Sequence, residues 1–200
     1  MIMKELDLLK KDWKKNTNSF EQVSETEIYK MIHKKSSSIV KWLFIISIIE
    51  FLFWTVIYVY QNDAKYHAKL QKYGVEELMF WINVFNYVVL IAFIYLFYKN
   101  HKTISTTDTI HQLMENILKT RRTVKYYIWY NYAMLFVSYA ITIVIVMKFS
   151  NEDVKVKNIM TLLMKFMLWS LAFWVFYRIV YGILLKKLYK NHRELEKIEL

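Results

Sequence analysis

Residues 39–60 read IVKWLFIISIIEFLFWTVIYVY. Only Lys41, near the start, and Glu50, in the middle, carry charge. A helix of this length rises about 33 Å at 1.5 Å per residue, enough to cross a hydrocarbon core of about 30 Å. A barrel strand would be about half as long and would alternate polar and apolar residues, which this run does not. The stretch therefore predicts a transmembrane helix. Three further runs of the same kind lie at 78–98, 126–147 and 162–185. The chain contains no proline, the commonest cause of a sharp kink, so uninterrupted helices are expected.

The spans explain a composition that is unusual for a soluble domain of 200 residues, 56% hydrophobic yet with a formal net charge of +11. The charge is segregated. Residues 1–41, 99–125 and 186–200 carry nine, six and five Lys or Arg, whereas 61–77 and 148–158 carry three each. By the positive-inside rule both termini and the middle loop face the cytoplasm. Each basic cluster flanks a span, where anionic lipid attracts it, so membrane lipid rather than nucleic acid is the expected partner of this charge. The first 38 residues are polar and charged, so the first span is expected to insert as an uncleaved anchor. Trp42, Trp81, Tyr98, Tyr126, Tyr127, Trp129 and Tyr181 fall near span ends, where amphipathic rings settle.

The expected fold is all-α: an integral membrane four-helix antiparallel bundle with amphipathic cytoplasmic helices. Its parts are an N-terminal cytoplasmic segment (1–38), a four-span unit (39–185) carrying a cytoplasmic loop helix (107–125), and a helical tail (186–200). In the first part Leu6, Leu9 and Trp13 share one helical face. Ser24-Glu25-Thr26-Glu27 is a capping box that predicts a second helix, with Ile28, Met31 and Ile32 on one side. Ser105 to Asp108 predicts the start of the loop helix, striped by Ile110, Leu113, Ile117 and Val124; no breaker separates it from the third span. Leu184, Leu188, Leu195 and Ile198 mark a similar stripe in the tail. These stripes need a cover, either one another, the headgroup region, or a protein partner that Leu6, Leu9, Trp13, Ile28 and Ile32 would dock.

Glu50 is the most informative single residue. An acidic group inside a span is costly and should face other helices or water and find a partner. It lies nine residues in from Lys41, and Arg178 lies eight in from Lys186, so both sit about 12–13 Å from the cytoplasmic face. A Glu50–Arg178 ion pair between the first and fourth spans is the expectation. Asn131 is placed to join a network near that level. Asn83 and Asn86 lie in the outer half of the second span, where amides act as packing glue.

Catalytic constellations are poor. The chain has no cysteine and two glycines, which excludes disulfides, thiol nucleophiles, Cys-bound metal, P-loops and dinucleotide fingerprints. None of the five histidines lies in the middle of a span, and Asp63/His67 and His192/Glu196 are two-residue pairings, too few to define a metal site. No metal, cofactor or catalytic residue is assigned.

Three segments taken together carry a resemblance: Glu5-Leu6-Asp7-Leu8-Leu9-Lys10-Lys11-Asp12-Trp13, the stretch 24–35, and Asn116 to Tyr127 running into Trp129-Tyr130-Asn131. The chain resembles an uncharacterised family of small four-span bacterial inner-membrane proteins over nearly its whole length. Some members carry a label for a carotenoid-cleaving monooxygenase, and some resemble proteins encoded near extracytoplasmic-function sigma factors. The resemblance implies a multi-pass protein of the bacterial inner membrane. Three functions follow, in this order: a non-catalytic membrane-anchored scaffold or regulator that binds a cytoplasmic protein, anti-sigma-like in mode; a transporter or binder of a hydrophobic or ionic ligand centred on Glu50 and Arg178; and a membrane-bound oxygenase. Four spans also leave surface for a homodimer.

Overall fold

The computed structural model describes residues 24–149 and 152–199. Among these residues there are five helices and no strand: α1 (Glu25–Gln61), α2 (Ala64–Lys72), α3 (Glu76–Ser105), α4 (Ile110–Phe149) and α5 (Glu152–Glu199). All but α2 are long and apolar enough to cross a membrane. At 1.5 Å per residue they measure about 45–72 Å, longer than the roughly 30 Å that a hydrocarbon core requires. Leu6, Leu9 and Trp13 lie outside the described residues.

Local chemistry sets the helix ends. α1 starts at the expected capping box: the Glu27 amide donates to Ser24 Oγ (3.3 Å) and the Ser24 amide to Glu27 Oε2 (3.2 Å). Asp63 caps α2 by accepting from the Tyr66 amide at 2.8 Å. The close of α2 is a Schellman turn. The Val75 amide donates to Leu70 O (3.1 Å), the Gly74 amide to Gln71 O (3.0 Å), and Gly74 takes the required positive φ of 63°. The loop helix starts later than expected, at Ile110 rather than near Thr107. Thr109 receives the Gln112 amide (3.4 Å), while Thr107 turns inward, donating to Thr103 O (2.7 Å) and accepting from Asn116 (3.0 Å). From Ile110 the loop helix runs without a break into the third span as one 40-residue rod.

Contacts join α1 to α3, α1 to α5, α3 to α4 and α4 to α5. The buried core is not spread evenly along these rods. One cluster gathers Ile32, Ile39, Val40, Ile104, Leu113, Ile117, Leu188 and Leu195, with Ile28, Ile110, Met114, Leu184 and Ile198 against it. The stripes at Ile28 and Ile32, at Ile110, Leu113 and Ile117, and at Leu184, Leu188, Leu195 and Ile198 thus cover one another, while Met31 stays exposed. This cluster lies at the end that bears the three basic segments. A second cluster sits just beyond it and is aromatic: Leu43, Leu90, Phe97, Val124, Tyr127, Tyr177 and Tyr181. Toward the other end large apolar side chains such as Val56, Phe85, Met164 and Leu168 are exposed. Water expels apolar surface and lipid does not. Burial is concentrated at this end of the rods, and the apolar windows of the four long helices face outward, as helices that could span a membrane would present them.

Polar bonds tie the basic end together. Asn191 Nδ2 donates to Ser36 Oγ (2.9 Å), Asn100 Nδ2 to Thr123 Oγ1 (3.1 Å), and Tyr29 Oη to Thr107 O (3.0 Å). Asn191 and Ser36 are both buried. Asn191→Ala strands the Ser36 hydroxyl and should cost about 1–3 kcal/mol, read as a shifted unfolding midpoint in mild detergent. An unchanged midpoint would show that this bond is not formed.

Candidate functional site in the first and fourth spans

Glu50 lies on the buried side of α1, 7% exposed, and α5 answers it with phenols. Tyr177 Oη donates to Oε1 at 2.6 Å and Tyr181 Oη to Oε2 at 2.9 Å. Residues four apart share a helix face, so 177 and 181 meet the same carboxylate from successive turns. From α4, Tyr127 joins the group: its side chain interacts with Glu50, and its ring lies 6.4 and 5.8 Å from those of Tyr177 and Tyr181. Three helices thus converge on one acidic group.

The expected Glu50–Arg178 pair is not formed. Arg178 does share the depth of Glu50, but it follows Tyr177 and therefore points about 100° away around the helix. Its side chain is exposed, with the guanidinium 5.3 Å from the Trp174 ring. A cation over an indole in this position is partly compensated, and its long stem can carry the charge toward the headgroups. Depth along a helix was readable from the sequence; azimuth was not. The missed partners had a signal, the i, i+4 tyrosines on either side of Arg178, but Tyr127 and Tyr181 had been assigned to interfacial anchoring.

Asn131 does join the group: its amide donates to the Tyr127 carbonyl (2.8 Å) and its side chain also interacts with the Tyr127 phenol. The other polar residues separate. Asn86 accepts from Tyr130 Oη (2.9 Å), joining α3 to α4. Asn83 lies elsewhere, on a crevice of about 340 Å³ at the opposite end with Tyr66, His67 and Glu76. There burial, and secondarily Tyr58, pushes the Tyr66 phenol up, so it stays a neutral donor at physiological pH. His67 meets Glu76 at 3.2 Å, but both are half exposed, and such a pair contributes little. Ile32 is buried in the basic-end core and Ile28 packs against it, partly buried. Among the described residues no three His, Asp or Glu side chains gather as metal ligands would.

Glu50 also has an open side. It forms part of the wall of a crevice of about 630 Å³ between α1 and α5, otherwise lined by apolar and aromatic residues that include Phe53, Trp54, Trp169, Phe173 and Phe176. The rings are contiguous: Trp54 lies 6.2 Å from Trp169 and 5.7 Å from Phe173, and Phe173 lies 5.8 Å from Tyr177. An aromatic wall therefore leads along α1 and α5 to the carboxylate.

No curated protein and no solved structure matches the chain. A family model described as a domain of unknown function (DUF8845) matches residues 26–200, nearly the whole of the chain, and the protein belongs to that family.

Proposed function

We propose that this is a multi-pass protein of the bacterial inner membrane, an antiparallel four-helix bundle with both termini cytoplasmic, that binds or transports a lipophilic cation in the crevice between α1 and α5. The observation that carries the reading is Glu50, a buried carboxylate on the wall of an apolar aromatic crevice with no basic side chain paired to it among the described residues. Phenols donate hydrogen bonds but bring no positive charge. In a low dielectric an uncompensated carboxylate is costly. A ligand cation supplies that charge, aromatic faces attract it, and its apolar body fills the crevice. The volume is in the range of small-molecule sites. The basic clusters at one end support the orientation.

Tetraphenylphosphonium is a suitable probe, because it joins a delocalised cation to an apolar body. Binding to the detergent-solubilised protein should quench Trp54 and Trp169 fluorescence. Glu50→Gln should weaken binding about tenfold or more, since it removes the anionic charge that attracts the cation in a low-dielectric crevice, where Coulomb attraction is far stronger than in water. Equal binding by the wild type and Glu50→Gln, or no binding by either, overturns the reading. The scaffold reading then takes its place. With Ile28 and Ile32 committed to the core, it rests on Leu6, Leu9 and Trp13, and requires a co-purifying cytoplasmic protein that Trp13→Asp releases.

A further inference from the structure

Away from Glu50, positive charge from two helices converges on one phenol ring at the basic end. The Arg121 guanidinium of α4 lies 4.4 Å from the Tyr189 centroid of α5, and Arg193 lies 4.7 Å from the same centroid. His192 stacks on that ring at 6.4 Å with an interplanar angle of 17°. Both guanidinium groups are measured from one point, so they stand at most ~9 Å apart, and like charges at that range repel.

Among the described residues no carboxylate answers them. Glu194, beside them in sequence, pairs with Lys190 at 3.7 Å, and neither arginine forms an ion pair among the described residues. Arg121 Nε and His192 Nδ1 are shielded from solvent and have no hydrogen-bond partner. A buried donor without an acceptor is costly. Two cations and two unsatisfied nitrogens around one ring describe a place for an anion.

Depth narrows the anion. Arg121 precedes the third span by five residues, and Tyr189 follows the fourth by four. Both therefore stand ~6–8 Å outside the apolar runs, among the headgroups. Guanidinium forks match phosphate oxygens two at a time, which a lysine ammonium does not.

We propose that Arg121 and Arg193, held by the Tyr189 ring, form a phosphate-binding clamp across α4 and α5 that takes the headgroup of an anionic lipid. The bound phosphate bridges the two rods where they leave the membrane and relieves the repulsion between them.

The test uses full-length protein, delipidated in detergent and offered phosphatidylglycerol, phosphatidylcholine or inorganic phosphate, with native mass spectrometry and thermal melting as readouts. Phosphatidylglycerol should be retained and should raise the melting temperature, with phosphatidylcholine retained less. The Arg121→Gln/Arg193→Gln variant should lose about fivefold or more of that retention. The Arg122→Gln/Lys125→Gln variant removes the same net charge from exposed neighbours and should keep it. A shift produced equally by inorganic phosphate and lost in the first variant supports the clamp while assigning it to free phosphate. Equal losses in the two variants, or no preference for the anionic lipid in the wild type, overturn it.

Discussion

Replacing Tyr177 and Tyr181 together with phenylalanine should destabilise the protein more than any single change on the outward face of α5. Each substitution keeps the ring and deletes only the hydroxyl that meets Glu50. A hydrogen bond to a charged group contributes about 1.5–3 kcal/mol, and the double variant leaves the buried carboxylate with Tyr127 alone of its three phenols. Arg178→Gln removes only an exposed cation–π contact of about 0.5–1 kcal/mol. The two sites are adjacent in sequence and opposed in expected effect. Adding Glu50→Leu to the double variant should recover much of the loss, because deleting both partners of a buried hydrogen bond is far milder than deleting one. Urea unfolding in detergent across this cycle measures the coupling directly. A large loss for Arg178→Gln with little for the tyrosines would reinstate the ion pair and remove the phenol group from the site.

The contrast between Tyr177 and Arg178 also shows what the sequence could and could not convey. Glu50 declared itself because a charge in the middle of a largely apolar 22-residue run is costly wherever the helix turns. Its depth followed from counting residues. Its partners did not, since the rotation of α5 is set by packing that involves α1 and α4 at once. Helix ends were legible where one short-range motif decides them, as at Ser24. At Thr107 they were not, because a tertiary contact with Tyr29 draws that residue inward. The stripe at Leu113 and Ile117 was legible as apolar, but what covers it depended on the matching faces at Ile32 and Leu188. Asn191 and Ser36, which fix that match, are ordinary polar residues in sequence. The crevice beside Glu50 had no local signature: its wall is assembled from residues 46–54 and 169–180, more than a hundred positions apart.

A single charge placed in the basic-end core should separate the four rods there while leaving them inserted. Leu188 is fully buried among Ile32, Ile117 and Leu195, in the basic-end core. Leu188→Ala should cost about 2–5 kcal/mol, as for other buried leucines. Leu188→Asp should cost more, because the carboxylate would be buried with no partner. Leu168 provides the comparison: it is 68% exposed on α5, within the apolar run. Leu168→Ala should cost little, since lipid replaces the lost side chain as readily as protein would. The chain has no cysteine, so a reporter is simple to build. Ser36→Cys with Asn191→Cys puts two thiols where side chains now meet at 2.9 Å. This pair should crosslink rapidly with a short bifunctional thiol reagent, continue to do so with Leu168→Ala, and stop with Leu188→Asp. If Leu188→Asp left the crosslink intact, the core at the basic end would not be what joins the rods, and their association would have to be assigned to contacts within the membrane. If Leu188→Asp loses the crosslink but still binds tetraphenylphosphonium in a way that Glu50→Gln weakens, the two halves act separately: the basic-end core holds the ends together, and the phenol–carboxylate group holds the crevice.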